Sequence, residues 1–224
     1  MINFRQYTNM TKCVVPNSVK ITNSIWSSTF YGMKSLQHIQ LPDTIKELRT
    51  TFCSCTKLVD PICGNSVTHL SSAYRSCSML SRAVCGPNVV DMSHAYANCQ
   101  QLYTAVCGPE VTNMSNAYYQ CTNIQGNTYF YSPSINNVSN CFSGRNTSKM
   151  LNIYAPANST TMTSLLRTGT TSIIGSSITW TNDTANKRYY NTTRNIYIYP
   201  VANVEATRIA NGDPDYMGVN ADES

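Results

Sequence analysis

The sequence repeats at intervals of 22 residues between positions 30 and 124, and this period constrains the fold more than any single residue does. One column holds aliphatic residues at the same phase: Leu36, Leu58, Leu80, Leu102 and Ile124. An aromatic column keeps step with it: Phe30, Phe52, Tyr74, Tyr96 and Tyr118. A fixed period of this length is the signature of a solenoid, whose units bury their apolar sides only against their neighbours. The chain is therefore predicted to be a stacked scaffold that acts by presenting a surface.

Each unit is predicted to consist of a short strand, a turn and a helical or 3₁₀ return. Ala83 and Cys85 alternate with their neighbours as residues of a short strand do, and Gly86-Pro87 then turns the chain. The apolar residues that follow recur at spacings of three and four, namely Val89, Met92, Ala95 and Tyr96. These features predict an α/β repeat solenoid with short parallel strands.

Three parts are predicted along the chain. Residues 1–29 form an N-terminal cap and a first irregular coil, and residues 30–156 form the solenoid. Beyond Pro156 the period is lost, and residues 157–224 are predicted to be a β-rich capping or head subdomain with a loose acidic tail. A short helix is predicted from Asn203, as its N-cap, to Ala210. The sequence leaves open whether this region is a cap or a functional head.

Composition excludes several classes of protein. Charged residues make up 12% of the chain, and the net charge of +5 comes from scattered residues without the basic stripe that nucleic-acid binding requires. No run is long enough to cross a bilayer, and the N-terminus lacks the apolar segment of a secretory signal. We therefore expect no nucleic-acid partner and no membrane span, and a protein that is made in a cytosol and stays there unless it leaves by lysis or a dedicated route.

The residues that could be catalytic or could bind a metal are the cysteines and one histidine. Seven of the ten cysteines fall in two columns: Cys55, Cys77, Cys99 and Cys121, and Cys63, Cys85 and Cys107. With no Cys-x-x-Cys pair, we expect reduced thiols that act as small buried hydrophobes, with disulfides between neighbours or a metal site as alternatives. His69 shares a column with Glu47 and Asp91, which we interpret as an exposed polar ladder without a nucleophile. No catalytic residue, metal or cofactor is predicted.

A candidate partner-binding stripe lies on the strands. If Ala83 and Cys85 face inward, Val84 faces outward, because side chains alternate along a strand. The column of Val84 and the residues beside it make up the candidate surface: Gln40, Ile62, Arg82, Val84, Thr104, Val106 and Thr128. Exposed apolar stripes with polar rims mark contact sites, so we expect this face to bind a protein partner or a second copy of the chain. The alternative is that the stripe only covers the sheet or contacts the C-terminal region.

The repeat resembles a known family. Residues 36–58 read Leu-Gln-His-Ile-Gln-Leu-Pro-Asp-Thr-Ile-Lys-Glu-Leu, then Thr-Phe and a Cys-Ser-Cys step before the next Leu, and this is similar to a BspA-type leucine-rich repeat. The resemblance covers about residues 10 to 156. From residue 58 onward Pro61, Ala83 and Ala105 replace the strand isoleucine, which predicts slimmer coils with less core per repeat than the family norm.

The resemblance implies a non-enzymatic recognition or assembly module. BspA-like repeats occur in adhesive surface proteins of bacteria and in bacteriophage structural proteins. The low charge and the start at Met1 favour a bacteriophage virion component, a capsid decoration or tail-associated protein assembled in a host cytoplasm. The alternatives are a bacterial surface adhesin and an intracellular protein-binding scaffold. The expected partners are proteins, either other virion proteins or a host surface receptor, with homo-oligomers as an option.

Overall fold

The computed structural model describes residues 4–18 and 26–214. Successive coils stack in register, as the period predicts. Single-residue parallel bridges join Glu47 to His69 and His69 to Asp91, each pair 22 positions apart. Main-chain hydrogen bonds run from coil to coil at the same level, such as Leu70 N–H to the Asp91 carbonyl at 2.9 Å. The predicted acidic tail lies outside the described residues from position 215 onward.

The strands are short and mostly parallel. In chain order they are β1 (Lys12–Val14), β2 (His38–Gln40), β3 (Val106–Cys107), β4 (Gly126–Phe130), β5 (Leu151–Pro156), β6 (Thr181–Asp183), β7 (Arg188–Asn191) and β8 (Ile196–Val201). Strands β1 and β2 form a parallel pair. The other six form one sheet in the order β3-β4-β5-β8-β7-β6, in which β3, β4, β5 and β8 are parallel and the last two pairings are antiparallel.

The prediction that the returns are helical or 3₁₀ is wrong for the described coils. Each return is a series of hydrogen-bonded turns, such as the turn in which Ala95 N–H donates to the Met92 carbonyl at 2.9 Å. His94, the third residue of this turn, has φ of +56°, and Asn98 four residues later has φ of +64°. A left-handed residue every fourth position cannot belong to a helix, because a helix needs negative φ throughout.

The core follows the sequence columns. All five members of the leucine column have no exposed surface. The predicted aromatic spine is confirmed: rings of neighbouring coils stack with centroids 5.6 Å apart for Phe30–Phe52 and 5.2 Å apart for Tyr74–Tyr96. Such stacked pairs stabilise the core beyond the area that they bury.

The C-terminal region continues the stack. Strand β8 pairs with β5 in parallel, and its Ile196 and Ile198 are buried in the same core. On the opposite side, Phe142 N–H donates to the Ile173 carbonyl at 2.8 Å, so residues 172–173 lie on the last return. The described helices are α1 (Thr160–Leu165), a 3₁₀ helix (Gly169–Thr171) and α2 (Val204–Ala210). The predicted start of α2 is confirmed, because Asn203 accepts a hydrogen bond from Ala206 N–H. The three-part division of the chain stays a prediction.

Candidate functional site

Three of the seven residues of the predicted stripe are accessible, and the other four are buried. Gln40 and Arg82 are exposed and Ile62 is half-buried. Val84 and Val106, which were expected to face solvent, are each only 2% exposed. The expectation of an exposed aliphatic stripe is therefore wrong at its centre.

Tyrosine hydroxyls bind the main chain at Val84. The hydroxyl of Tyr96 accepts a hydrogen bond from Val84 N–H and donates one to the Val84 carbonyl. Tyr118 binds Val106 in the same way, and Tyr74 binds Ile62. The N–H and carbonyl groups of these residues are thereby satisfied from the core side, and residues 81–85 form no regular strand. The alternation rule does not apply to such a segment, and Val84 is buried between Ala83 and Cys85 in the core cluster.

A register shift accounts for Thr128. Val106 pairs with Tyr129, one position beyond the 22-residue interval. Because a slip of one residue moves every side chain to the other face, Thr128 points inward and donates to the Ala105 carbonyl at 3.0 Å. The prediction that Thr128 belongs to the outer surface is wrong. Tyr129 takes its place, and its ring stacks on Tyr154 with centroids 5.1 Å apart.

Helix α2 covers the strand face near β3. A small cleft there is lined by Val106, Tyr129, Tyr131 and Arg208 of α2. Tyr131 donates to the Glu205 carboxylate at 2.8 Å. Hydrogen bonds from Arg208 and Tyr131 lower the pKa of Glu205 to about 2. The alternative that the stripe contacts the C-terminal region therefore holds for Val106.

The residues that follow α2 are also bound to the strand face by side-chain hydrogen bonds. Asp213 accepts hydrogen bonds from the Tyr129 hydroxyl at 2.5 Å and from Asn127 at 2.8 Å, and Asn211 donates to the Tyr129 oxygen at 2.8 Å. Burial and the hydrogen bond to Asp213 raise the pKa of Tyr129.

Thr104, another residue of the predicted stripe, is also buried. Its hydroxyl has no hydrogen-bond partner among the described residues.

An exposed ridge runs beside the covered face, where each coil approaches its strand segment. It consists of Lys57, Met79, Arg82, Gln101 and Tyr103. Tyr103 N–H donates to the Ser81 carbonyl at 3.1 Å, so these positions of neighbouring coils lie side by side. Met79 is 53% exposed and Tyr103 is 46% exposed. Of these five residues, sequence reasoning found only Arg82. The departure of Met79 from a column that is otherwise polar was a signal for that residue.

The polar ladder lies on the opposite side and is structural. Asp91 accepts hydrogen bonds from Ser93 N–H at 2.9 Å and from the Asn113 side chain at 3.1 Å. His69 is hydrogen-bonded to the hydroxyl of its neighbour Thr68 at 2.9 Å. The ladder fixes the start of each return, as Asp and Asn side chains do when they bind the main-chain N–H two residues on.

The cysteine columns join coils by hydrogen bonds. Cys99 donates from its thiol to the Tyr74 carbonyl in the preceding coil at 3.0 Å, and Gly86 N–H donates to the Cys63 sulfur at 3.0 Å. Nine of the ten cysteines are buried, and all ten are free. Burial raises the pKa of Cys63 to about 12. These thiols are packing elements, and within residues 4–18 and 26–214 no group of three or more His, Cys, Asp or Glu could hold a metal ion.

A family model for the BspA-type leucine-rich repeat region matches residues 3–125 in six copies. The chain belongs to this family. It is accordingly a non-enzymatic leucine-rich repeat protein with parallel strands, as the sequence predicted. At the level of detail that the family supports, the chain is a protein-binding repeat module.

Two solved structures are similar to the BspA-type chain. A leucine-rich repeat protein from Bacteroides ovatus ATCC 8483 is 16% identical, with a TM-score of 0.48, over 70% of this chain and 52% of its own. The chain thus spans about half the length of that protein. The leucine-rich repeat protein of T. pallidum is 17% identical, with a TM-score of 0.44, over 54% of this chain and 69% of its own. No curated protein matches the chain. Over the part of the chain that the structure describes, no helix has the length and apolar character to span a membrane.

Proposed function

We propose that this BspA-type chain binds a protein partner through the ridge. The observation that carries the proposal is the pair Met79 and Tyr103, two large exposed side chains on neighbouring coils, with the exposed Arg82 between them along the chain. Met, Tyr and Arg are enriched at protein interfaces relative to other surface residues. Tyr and Arg are also the residue types that most often dominate binding energy.

The ridge replaces the predicted stripe because it is accessible. Val84 and Val106 lie under other groups, and a partner could reach them only if the chain rearranged. The ridge also carries the charges of Lys57 and Arg82 beside its apolar residues. The column of Arg82 continues in the exposed pair His38 and Asp60, whose Nδ1 and Oδ2 atoms are 2.5 Å apart. Apolar anchors with a polar rim are the usual anatomy of a transient protein interface.

The setting of this function follows the family. Membership of the BspA family supports a recognition module of the adhesin or scaffold kind more than a virion component. The virion role and its host-cytoplasm assembly stay predictions from composition and from the resemblance to bacteriophage structural proteins. Quantifying the protein in purified virus particles and in bacterial envelope fractions distinguishes the two settings.

We also propose that residues 157–214 close the open end of the solenoid. Support comes from Ile173, Ile196 and Ile198, which pack on the last coil and are fully or almost fully buried. Removal of residues 157–224 should then leave Leu151 and Ile153 uncovered and give a protein that aggregates. A soluble, cooperatively folding 1–156 fragment would contradict the cap.

The ridge is tested by site-specific crosslinking. A photoreactive amino acid placed at position 103 should crosslink to one partner in stoichiometric amount, and the same group at position 90 should not. Val90 is a matched control because it is 38% exposed and lies on a different face. The paired substitution Met79→Asp and Tyr103→Asp should abolish the crosslink from position 101 without changing the unfolding midpoint. Equal crosslinking from positions 90 and 103 would contradict the proposal.

A further inference from the structure

A cavity of about 230 Å³ lies at the junction of the last coil and the C-terminal region. Its walls come from three segments: residues 142–147 after the last return, residues 174–176, and residues 194–196 at the start of β8. The cavity is somewhat smaller than drug-sized pockets, and so it fits a small molecule rather than a peptide.

Two arginines line this cavity, and none of its ten described lining residues is acidic. Arg145 is only 7% exposed, and it donates to four main-chain carbonyls, those of Asn146, Lys149, Arg194 and Asn195. These bonds occupy the N–H groups of its two terminal nitrogens but bring no negative charge. Burial lowers the pKa of Arg145 to about 10, and no acidic residue of the cavity lining offsets its charge.

Arg194 is held at the cavity by Arg145. The Arg145 guanidinium binds the carbonyls of Arg194 and Asn195, and so it fixes the main chain of the segment that carries the second charge. The Arg194 side chain itself makes no hydrogen bond or ion pair with any described residue. Its guanidinium therefore keeps five donors for a ligand.

The remaining walls combine hydroxyls and apolar groups. Ser143, Thr147 and Ser176 supply hydroxyls that can donate to an anion, while Phe142, Ile174 and Ile196 supply an apolar surface. An inorganic ion would use only the first set. A ligand with an anionic group on an apolar body would use both.

We infer that this cavity binds a small organic oxyanion, a carboxylate or phosphate carried on an apolar body, with Arg194 as its principal contact. Arg145 is a positioning residue that holds the Arg194 segment and adds positive charge. The site is separate from the ridge, and it does not depend on the ridge as the partner surface.

The test uses phenyl phosphate as the probe, with inorganic phosphate and neutral benzyl alcohol as comparisons. Binding of each compound is measured by calorimetry and by the amide NMR shifts of Gly144 and Gly175. Phenyl phosphate should bind more tightly than either comparison. Arg194→Gln should weaken it about tenfold or more, because a charged hydrogen bond is lost, and should leave the unfolding midpoint of the free protein unchanged. Arg75→Gln removes an exposed arginine elsewhere and should not change binding.

Three results would overturn the inference. One is the absence of a saturable shift at Gly144 and Gly175 with phenyl phosphate at millimolar concentration. Another is equal affinity in wild type, Arg194→Gln and Arg75→Gln, which would show general attraction to a basic protein. The third is equal binding of benzyl alcohol, which would show an apolar cavity without anion selectivity.

Discussion

The hydroxyl of Tyr96 bridges the main chain of Val84: it accepts from the N–H at 3.0 Å and donates to the carbonyl at 2.7 Å. In a regular parallel sheet these two groups would bind neighbouring strands. The tyrosine thus satisfies both groups from inside the coil. Tyr118 makes the same bridge to Val106, which lies in the paired strand β3, so the bridge is compatible with strand pairing.

Tyr96→Phe should destabilise the protein by about 2 kcal/mol, because it leaves the buried N–H and carbonyl of Val84 without a partner. Urea unfolding measures the loss. Tyr103→Phe is the control: it removes a hydroxyl from an exposed tyrosine and should change the unfolding free energy by less than about 0.5 kcal/mol. Equal stability of the Tyr96→Phe and wild-type proteins would mean that the hydroxyl bridge contributes nothing.

Two buried threonines should respond in opposite directions to the same change. Thr104→Val should stabilise the protein by about 1 kcal/mol, since its buried hydroxyl has no partner among the described residues. Thr128→Val should destabilise it by about 1 kcal/mol, because the hydrogen bond to the Ala105 carbonyl is lost. Thermal and urea unfolding of both variants check the signs. A destabilised Thr104→Val protein would show that this hydroxyl is satisfied.

The left-handed turn residues should tolerate glycine. His94→Gly should stabilise the protein by about 1 kcal/mol, because φ at His94 is +56° and a side chain is costly in that region. Arg75→Gly, at an exposed turn position outside the positive-φ set, should destabilise it by about 0.5–1 kcal/mol through the entropy of the unfolded chain. Unfolding free energies compare the two. A loss of stability in His94→Gly would contradict the turn geometry.

The buried thiols should make the fold sensitive to alkali. Burial raises the pKa of Cys63 and of Cys121 from 9.0 to about 12. Because the folded pKa exceeds the unfolded one, their stabilising contribution is complete below about pH 9 and is lost as the pH rises toward 12. The unfolding midpoint should therefore fall steadily through this window. A midpoint that stays constant would indicate that the thiolates form without cost.

Alkylation gives a separate check on the thiols. Under native conditions without reductant, Cys13, the one half-buried cysteine, should react first and the nine buried ones slowly. After denaturation all ten should be modified, since disulfides are not expected in this chain. Intact mass counts the labels. Fewer than ten labels in the denatured protein would show that some cysteines are paired.

The sequence predicted what depends on the period. The buried leucine column and the stacked aromatic spine follow from identical phases, because like residues must meet when equal coils stack. The returns were not predictable in detail. Spacings of three and four fit a helix and a chain of turns equally well, and only the left-handed residues such as His94 separate the two.

The candidate surface was harder to predict because it depends on contacts between distant parts of the chain. Val84 is buried in the core cluster, where a tyrosine 12 residues later binds its main chain, and Val106 is covered by helix α2, about a hundred residues away. The one-residue slip before Tyr129 coincides with Gly126, whose φ is +74°. The 22-residue pattern predicts neither these contacts nor the slip. Arg82 could be predicted as exposed because its column varies freely in charge.

Successive coils stack in register, so that residues 22 apart are neighbours. Methyl NOE spectroscopy on the leucine-labelled protein tests this stacking. In-register coils should give strong cross-peaks from the Leu80 methyls to those of both Leu58 and Leu102, and none between Leu58 and Leu102, which lie two coils apart. Absence of the Leu58–Leu80 and Leu80–Leu102 cross-peaks in the folded protein would contradict it.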